Sequence, residues 1–213
     1  MVGTVTELVL ARHGETRWHA ENRYAGRSDV ELAPGGYRQA EALARWAAGA
    51  GLDAVVTSPL QRAVHTATPA ARAAGLPLHT DPRLVEVDFG EGDGHTREEM
   101  ETLFPDALAA FLAKPASSPL PGGETGPDAV ERALPVVDEV RAAHPDGRVL
   151  VVAHQTLLRL LLCQLLGIPL DHYRAVFPRL EGAARTVVRP APQGPAALVA
   201  LNVPSPAEPD GRA

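Results

Sequence analysis

The run Arg148–Ala153 (RVLVVA) constrains the fold of this chain more than any other segment. It is short and almost uninterruptedly apolar, which suits a strand covered on both faces, and such strands belong to parallel sheets packed between helices. It leads straight into His154 and then into the helix-like LLRLLLCQLLG. A second run, Glu7–Ala11, behaves alike and ends at Arg12, His13 and Gly14. Two buried strands that each end in a histidine can bring both rings to one crevice, because open α/β sheets hold ligands at the carboxyl ends of their strands.

Between these runs, strand-like and helical segments alternate: a helix from about Gly35 to Ala50, a strand Ala54–Thr57 and a helix from about Leu60 to Ala74. A helix from about Asp128 to Ala143, with a kink expected at Pro135, precedes the run at Arg148, and strands Ala184–Arg189 and Ala197–Asn202 follow. The pattern predicts an α/β fold with a parallel sheet. The glycine-rich VDFGEGDGH, a helical REEMETLF and the loop KPASSPLPGG form a cap-like excursion over about 87–123. A single domain over residues 1–203 is expected, with a disordered tail at 204–213 (PSPAEPDGRA).

Composition narrows the function classes. A chain of 213 residues with 45% hydrophobic and 22% charged side chains fits one soluble domain with a buried core. The net charge of -6 argues against nucleic acid or an anionic membrane as the main partner. One cysteine, Cys163, leaves no intrachain disulfide and no thiolate zinc site. With no leader-like segment and no apolar run of membrane-spanning length, a cytoplasmic location is the default expectation. Of the eight histidines, His65, His79, His95, His144 and His172 show no defensible metal-ligand spacing, and no metal is expected.

The polar residues after the strand ends are Arg12, His13, Arg62 and His154, with Glu86 on a loop. That set suits phosphoryl transfer. Guanidiniums and a donating imidazole hold the non-bridging oxygens of a phosphate, and a neutral imidazole attacks phosphorus to form a phosphohistidine. Neighbouring cations keep the nucleophile unprotonated. A carboxyl group must protonate the departing oxygen and later deprotonate water, and Glu86 is the best candidate, although Asp88, Glu91 and Asp93 share its loop.

The stretch ARHGETRWHAENRYAGRSDVELAPGGYRQA at residues 11–40 resembles the signature of the histidine phosphatase superfamily, the phosphoglycerate mutase-like proteins. TSPLQRAVHTA, LVEVDFGEGDG, PGGET and VLVVAHQTLLR follow in the expected order. The resemblance implies a three-layer α/β/α sandwich with a mostly parallel central sheet and no metal or organic cofactor. It implies His13 as the phosphorylated nucleophile, Arg12, Arg62 and His154 as the phosphate pocket, and Glu86 as the proton donor. Two positions depart from the family pattern: His19 stands where asparagine is usual, and Gln155 where glycine is common. His19 can still donate to phosphate, and Thr16, Ala25, Gly26 and Gln155 are candidate substrate contacts.

The expected activity is hydrolysis of a small phosphomonoester. A phosphoglycerate mutase-type isomerase is the alternative, and a non-catalytic phosphate-binding protein is the third. Mutases of the family typically carry a longer insertion after the donor, whereas about 35 residues separate Glu86 from Gly122 here. The excursion offers Phe104, Phe111 and leucines but few cations, so it shows no clear second anion site, and neither leaving group nor oligomeric state is specified.

Overall fold

The computed structural model describes residues 5–191 and 193–205, so the tail from 206 onward lies outside the described residues. Its frame is a six-stranded sheet in the order β3-β2-β4-β1-β5-β6. The strands are β1 (Glu7–Arg12), β2 (Ala54–Thr57), β3 (Leu78–Thr80), β4 (Arg148–Ala153), β5 (Arg185–Arg189) and β6 (Ala197–Val203). β1 to β4 run parallel, while β5 pairs antiparallel with both β1 and β6.

Side-chain alternation along the central strands divides the core in two. From β1 and β4, Leu8, Leu10, Val149 and Val151 face a layer that includes α5 (Gly126–Ala143) and α6 (Gln155–Leu166). Val9, Ala11, Leu150 and Val152 face α1 (Pro34–Ala47) and α2 (Gln61–Ala74). A sheet between two helical layers is the expected three-layer sandwich. The alanines Ala63, Ala67 and Ala70 of α2 are fully buried, and their small size lets the helix lie close to its neighbours.

The excursion is more helical than its sequence indicated. After α3 (Arg97–Leu103) a second helix, α4 (Pro105–Ala113), starts at once with proline in its first turn, where the missing N–H costs nothing. Leu108 and Phe111 of α4 join the core together with Met100 of α3. A four-residue helix, α7 (Tyr173–Val176), follows α6. α1 ends at Ala47 rather than Ala50, and α5 runs through Pro135.

β1 and β4 are neighbours, with Arg12 opposite Ala153 in register. The His13 N–H donates to the Ala153 carbonyl at 2.9 Å, which continues the ladder one residue past the strand. The two strand-end histidines therefore leave the sheet side by side, with ring centroids 5.1 Å apart.

Candidate active site

His13 is buried, and its Nδ1 lies 2.7 Å from the Gly14 carbonyl. A carbonyl accepts only, so Nδ1 carries the ring proton and Nε2 keeps its lone pair. Burial first, then Arg62, His154 and Arg12, hold His13 well below the usual imidazole range. The ring is thus neutral at physiological pH, with Nε2 unprotonated. Gly14 serves this geometry through close packing: a Cβ on it would sit 2.6 Å from the Gly36 carbonyl oxygen at the start of α1. Its φ is not among the positive ones, so what the position asks of glycine is room for this close approach.

Beside His13, Arg12 donates from Nη1 to Gln155 Oε1 at 2.9 Å and to the Leu180 carbonyl at 3.0 Å. Its Nε is buried without a partner, and its Nη2 faces His19 Nε2. The Thr16 N–H points to His19 Nδ1 at 3.0 Å, and Arg12 Nη2, which can only donate, is in direct contact with His19 Nε2. Burial, then Arg12, Arg179 and Arg62, push His19 down to about 4, which keeps it neutral. Thr16 itself is buried and spent on His19, with its Oγ1 2.8 Å from Nδ1.

Arg62, in the first turn of α2, is fully buried. It donates from Nε to His154 Nδ1 at 3.2 Å, from Nη1 to the Ser28 carbonyl at 2.6 Å and from Nη2 to the Gly26 carbonyl at 2.7 Å. The Ala25 carbonyl lies 3.4 Å from Nη2. Gly26 has its N–H on Asp93 Oδ1 at 3.0 Å as well, so both of its backbone groups orient Arg62 or its loop rather than standing free for substrate. Because His154 Nδ1 accepts from Arg62, Nε2 carries the proton and donates to Ser58 Oγ at 2.8 Å. Burial, then Arg62, Arg12, Arg132 and Arg27, hold His154 well below its ordinary range.

Glu86 is buried on the loop before the excursion. Its Oε1 accepts the N–H groups of Val87 (2.8 Å) and Leu157 (2.9 Å), and its Oε2 accepts that of Thr156 (2.9 Å). α6 has no local side-chain cap, so this carboxylate satisfies two of its first-turn donors from 70 residues away. Oε2, with one accepted bond, has a position left that can carry a proton. Arg132 fixes the loop from behind by donating to the Glu86 carbonyl at 3.2 Å. Asp88, Glu91 and Asp93 do not share this position: Asp93 binds the loop N–H groups of Gly26 and Ser28, and Asp88 binds that of Gly90.

The structure thus gathers Arg12, His13, His19, Arg62, His154 and Gln155 at the ends of β1 and β4. Ser58 and Thr66 escaped the sequence reading, although both lie in the TSPLQRAVHTA block. Ser58 is fully buried against His154, and Thr66 accepts the Gly14 N–H at 3.0 Å. Asp93 binds backbone from a distant segment, and Arg132 joins the Glu124 carboxylate to the carbonyls of Arg83 and Glu86. No group of residues able to hold a metal ion occurs among the described residues.

Compared with known proteins, the sequence matches the histidine phosphatase superfamily (branch 1) over residues 8–203. A bifunctional protein of Mycobacterium tuberculosis (strain ATCC 25618 / H37Rv) is 40% identical over 161 residues, covering 75% of this chain and 44% of that relative. The chain therefore spans less than half of that relative's length. Phosphoserine phosphatase 1 of Hydrogenobacter thermophilus is 32% identical over 169 residues, covering 79% of this chain and 80% of the relative. The solved structure of a mycobacterial glucosyl-3-phosphoglycerate phosphatase in complex with VO3 superposes with a TM-score of 0.83 at 29% identity, over 92% of this chain and 99% of that one.

Proposed function

This chain belongs to the histidine phosphatase superfamily, and we propose that it hydrolyses a small phosphomonoester through a phosphohistidine on His13. The observation that carries the reading is the neutral His13 ring, with Nδ1 tied to the Gly14 carbonyl and Nε2 free among Arg12, Arg62 and His154. In the first step Nε2 bonds to phosphorus as the ester P–O bond breaks, and the leaving oxygen takes a proton from Glu86. In the second, Glu86 removes a proton from water, whose oxygen bonds to phosphorus as the N–P bond breaks. Arg12, Arg62 and His19 hold the phosphate oxygens, and an oxygen between His13 and His154 competes with Ser58 for the His154 proton.

The hydrolase reading is preferred to a mutase because the segment from Glu86 to Gly122 is short and because phosphatases are named among the relatives. Incubation with p-nitrophenyl phosphate and a metal chelator is expected to release phosphate, and acid-labile phosphate is expected on His13 after quenching. Full activity in His13→Ala refutes the mechanism. Interconversion of phosphoglycerates without release of phosphate supports the mutase instead.

A further inference from the structure

Arg12 is a buried cation that no carboxylate neutralises. It is 9% exposed and forms no ion pair among the described residues. Glu86 is near enough to favour its charge, but the Glu86 oxygens are held by backbone N–H groups. Neutral oxygens orient the guanidinium instead: both hydrogens of Nη1 are used, one on Gln155 Oε1 and the other on the Leu180 carbonyl. Nη2 touches His19 and has a second hydrogen left, while the buried Nε–H has no partner. Nη2 is the terminal nitrogen beside Nε–H, so the donors that remain lie together on one edge of the planar group. Such an edge matches two oxygens of one phosphate.

Gln155 reaches Arg12 from the first residue of α6, directly after His154. It stands where glycine is common in the family, and glycine has no side-chain acceptor to offer. A carboxylate at this position would hold Arg12 equally well but would cancel the charge that attracts a phosphate, whereas an amide oxygen orients the cation and leaves its charge uncancelled. We propose that Gln155 is a positioning residue for Arg12, a neutral acceptor that stops the guanidinium turning and so keeps its Nε–Nη2 edge toward the phosphate. Without it, Nη1 is held by the Leu180 carbonyl alone. Gln155 then serves the reaction through Arg12 and needs no contact of its own with the substrate.

The inference rests on the phosphatase reading, and its test separates the two. Inorganic phosphate is the probe, its affinity measured by calorimetry and by inhibition of p-nitrophenyl phosphate hydrolysis. Gln155→Leu is expected to weaken phosphate and to raise KM by about 10-fold, the scale of one hydrogen bond to a charged group, with kcat changed less than about 3-fold. Gln155→Glu keeps the acceptor but adds a charge, so phosphate affinity falls further than in the leucine variant while Tm stays at or above that of the wild type. In an Arg12→Ala background the leucine exchange has no further effect on affinity or KM, because the group it positions is gone. Equal losses with and without Arg12 mean that Gln155 acts independently of it, which overturns the proposal. So does wild-type phosphate affinity in Gln155→Glu. If leucine disturbs α6, seen as a lowered Tm, the glutamate variant decides alone. Normal hydrolysis with unchanged phosphate affinity in both variants refutes the positioning role alone. Phosphate binding by a wild-type chain that hydrolyses no phosphomonoester refutes the phosphatase reading alone, and a wild-type chain that does neither refutes both.

Discussion

Replacing Glu86 by glutamine separates its capping of α6 from the proton transfer proposed for it. Oε1 accepts two N–H groups and Oε2 one. The amide oxygen can retain the pair from Val87 and Leu157, but its NH2 then faces the Thr156 N–H, donor against donor. An orphaned buried N–H costs about 1–3 kcal/mol, which lowers Tm by about 2–12 °C in a chain of this size. Calorimetry of wild type and Glu86→Gln measures this directly. Below the variant's transition, turnover of a series of aryl and alkyl phosphates reads the proton transfer: alkyl esters should slow by about 10²–10⁴ and p-nitrophenyl phosphate far less. An unchanged Tm refutes the capping argument. Uniform slowing across the series means that Glu86 positions α6 and donates no proton.

Gly14→Ala forces a Cβ to within 2.6 Å of the Gly36 carbonyl oxygen. A loss of about 1–3 kcal/mol in denaturant unfolding is expected, with a fall in kcat as the His13 ring shifts. Stability should also depend on acid. His13, His19 and His154 have folded pKa values depressed below the unfolded value near 6.5, so the unfolded chain binds more protons as pH falls through that value. Their stabilisation is present above about pH 6.5 and is lost below it, at up to about 1.4 kcal/mol per pH unit for each ring. Denaturation midpoints between pH 8 and 5 test this, and a flat profile contradicts the neutral assignment. Ser58→Ala leaves the His154 Nε2–H and the Leu60 N–H without their partner. The expected result is lower stability together with tighter inhibition by inorganic phosphate, whose oxygen no longer competes for the His154 proton.

The parts legible in the sequence were those whose signal is local. β1, β2 and β4 are near-continuous apolar runs, and the limits expected for β2 and β4 match the structure. His13 and His154 were legible as a pair because each follows such a run. β3 was missed because Leu78–Thr80 is a three-residue edge strand with two exposed side chains, too short for any period to show. α4 was missed because it begins directly after α3 and buries only Leu108 and Phe111. The partners of Arg62 are the carbonyls of Ala25, Gly26 and Ser28, and main-chain atoms leave no trace in residue identity.

The strand order also sets a schedule for assembly. β1 and β2 are successive strands in the chain, yet β4 lies between them and pairs with both. A growing chain that has made β1, α1 and β2 still lacks the strand that joins them, and it has neither His154 nor the α6 donors that hold Glu86. Closing the gap brings together Arg12 and Gln155, 143 positions apart, so the step combines late synthesis with a large loop-closure cost. The paired histidines, the α6 donors for Glu86 and the Leu180 carbonyl that holds Arg12 therefore come together only after β4 and the segment that follows it are in place.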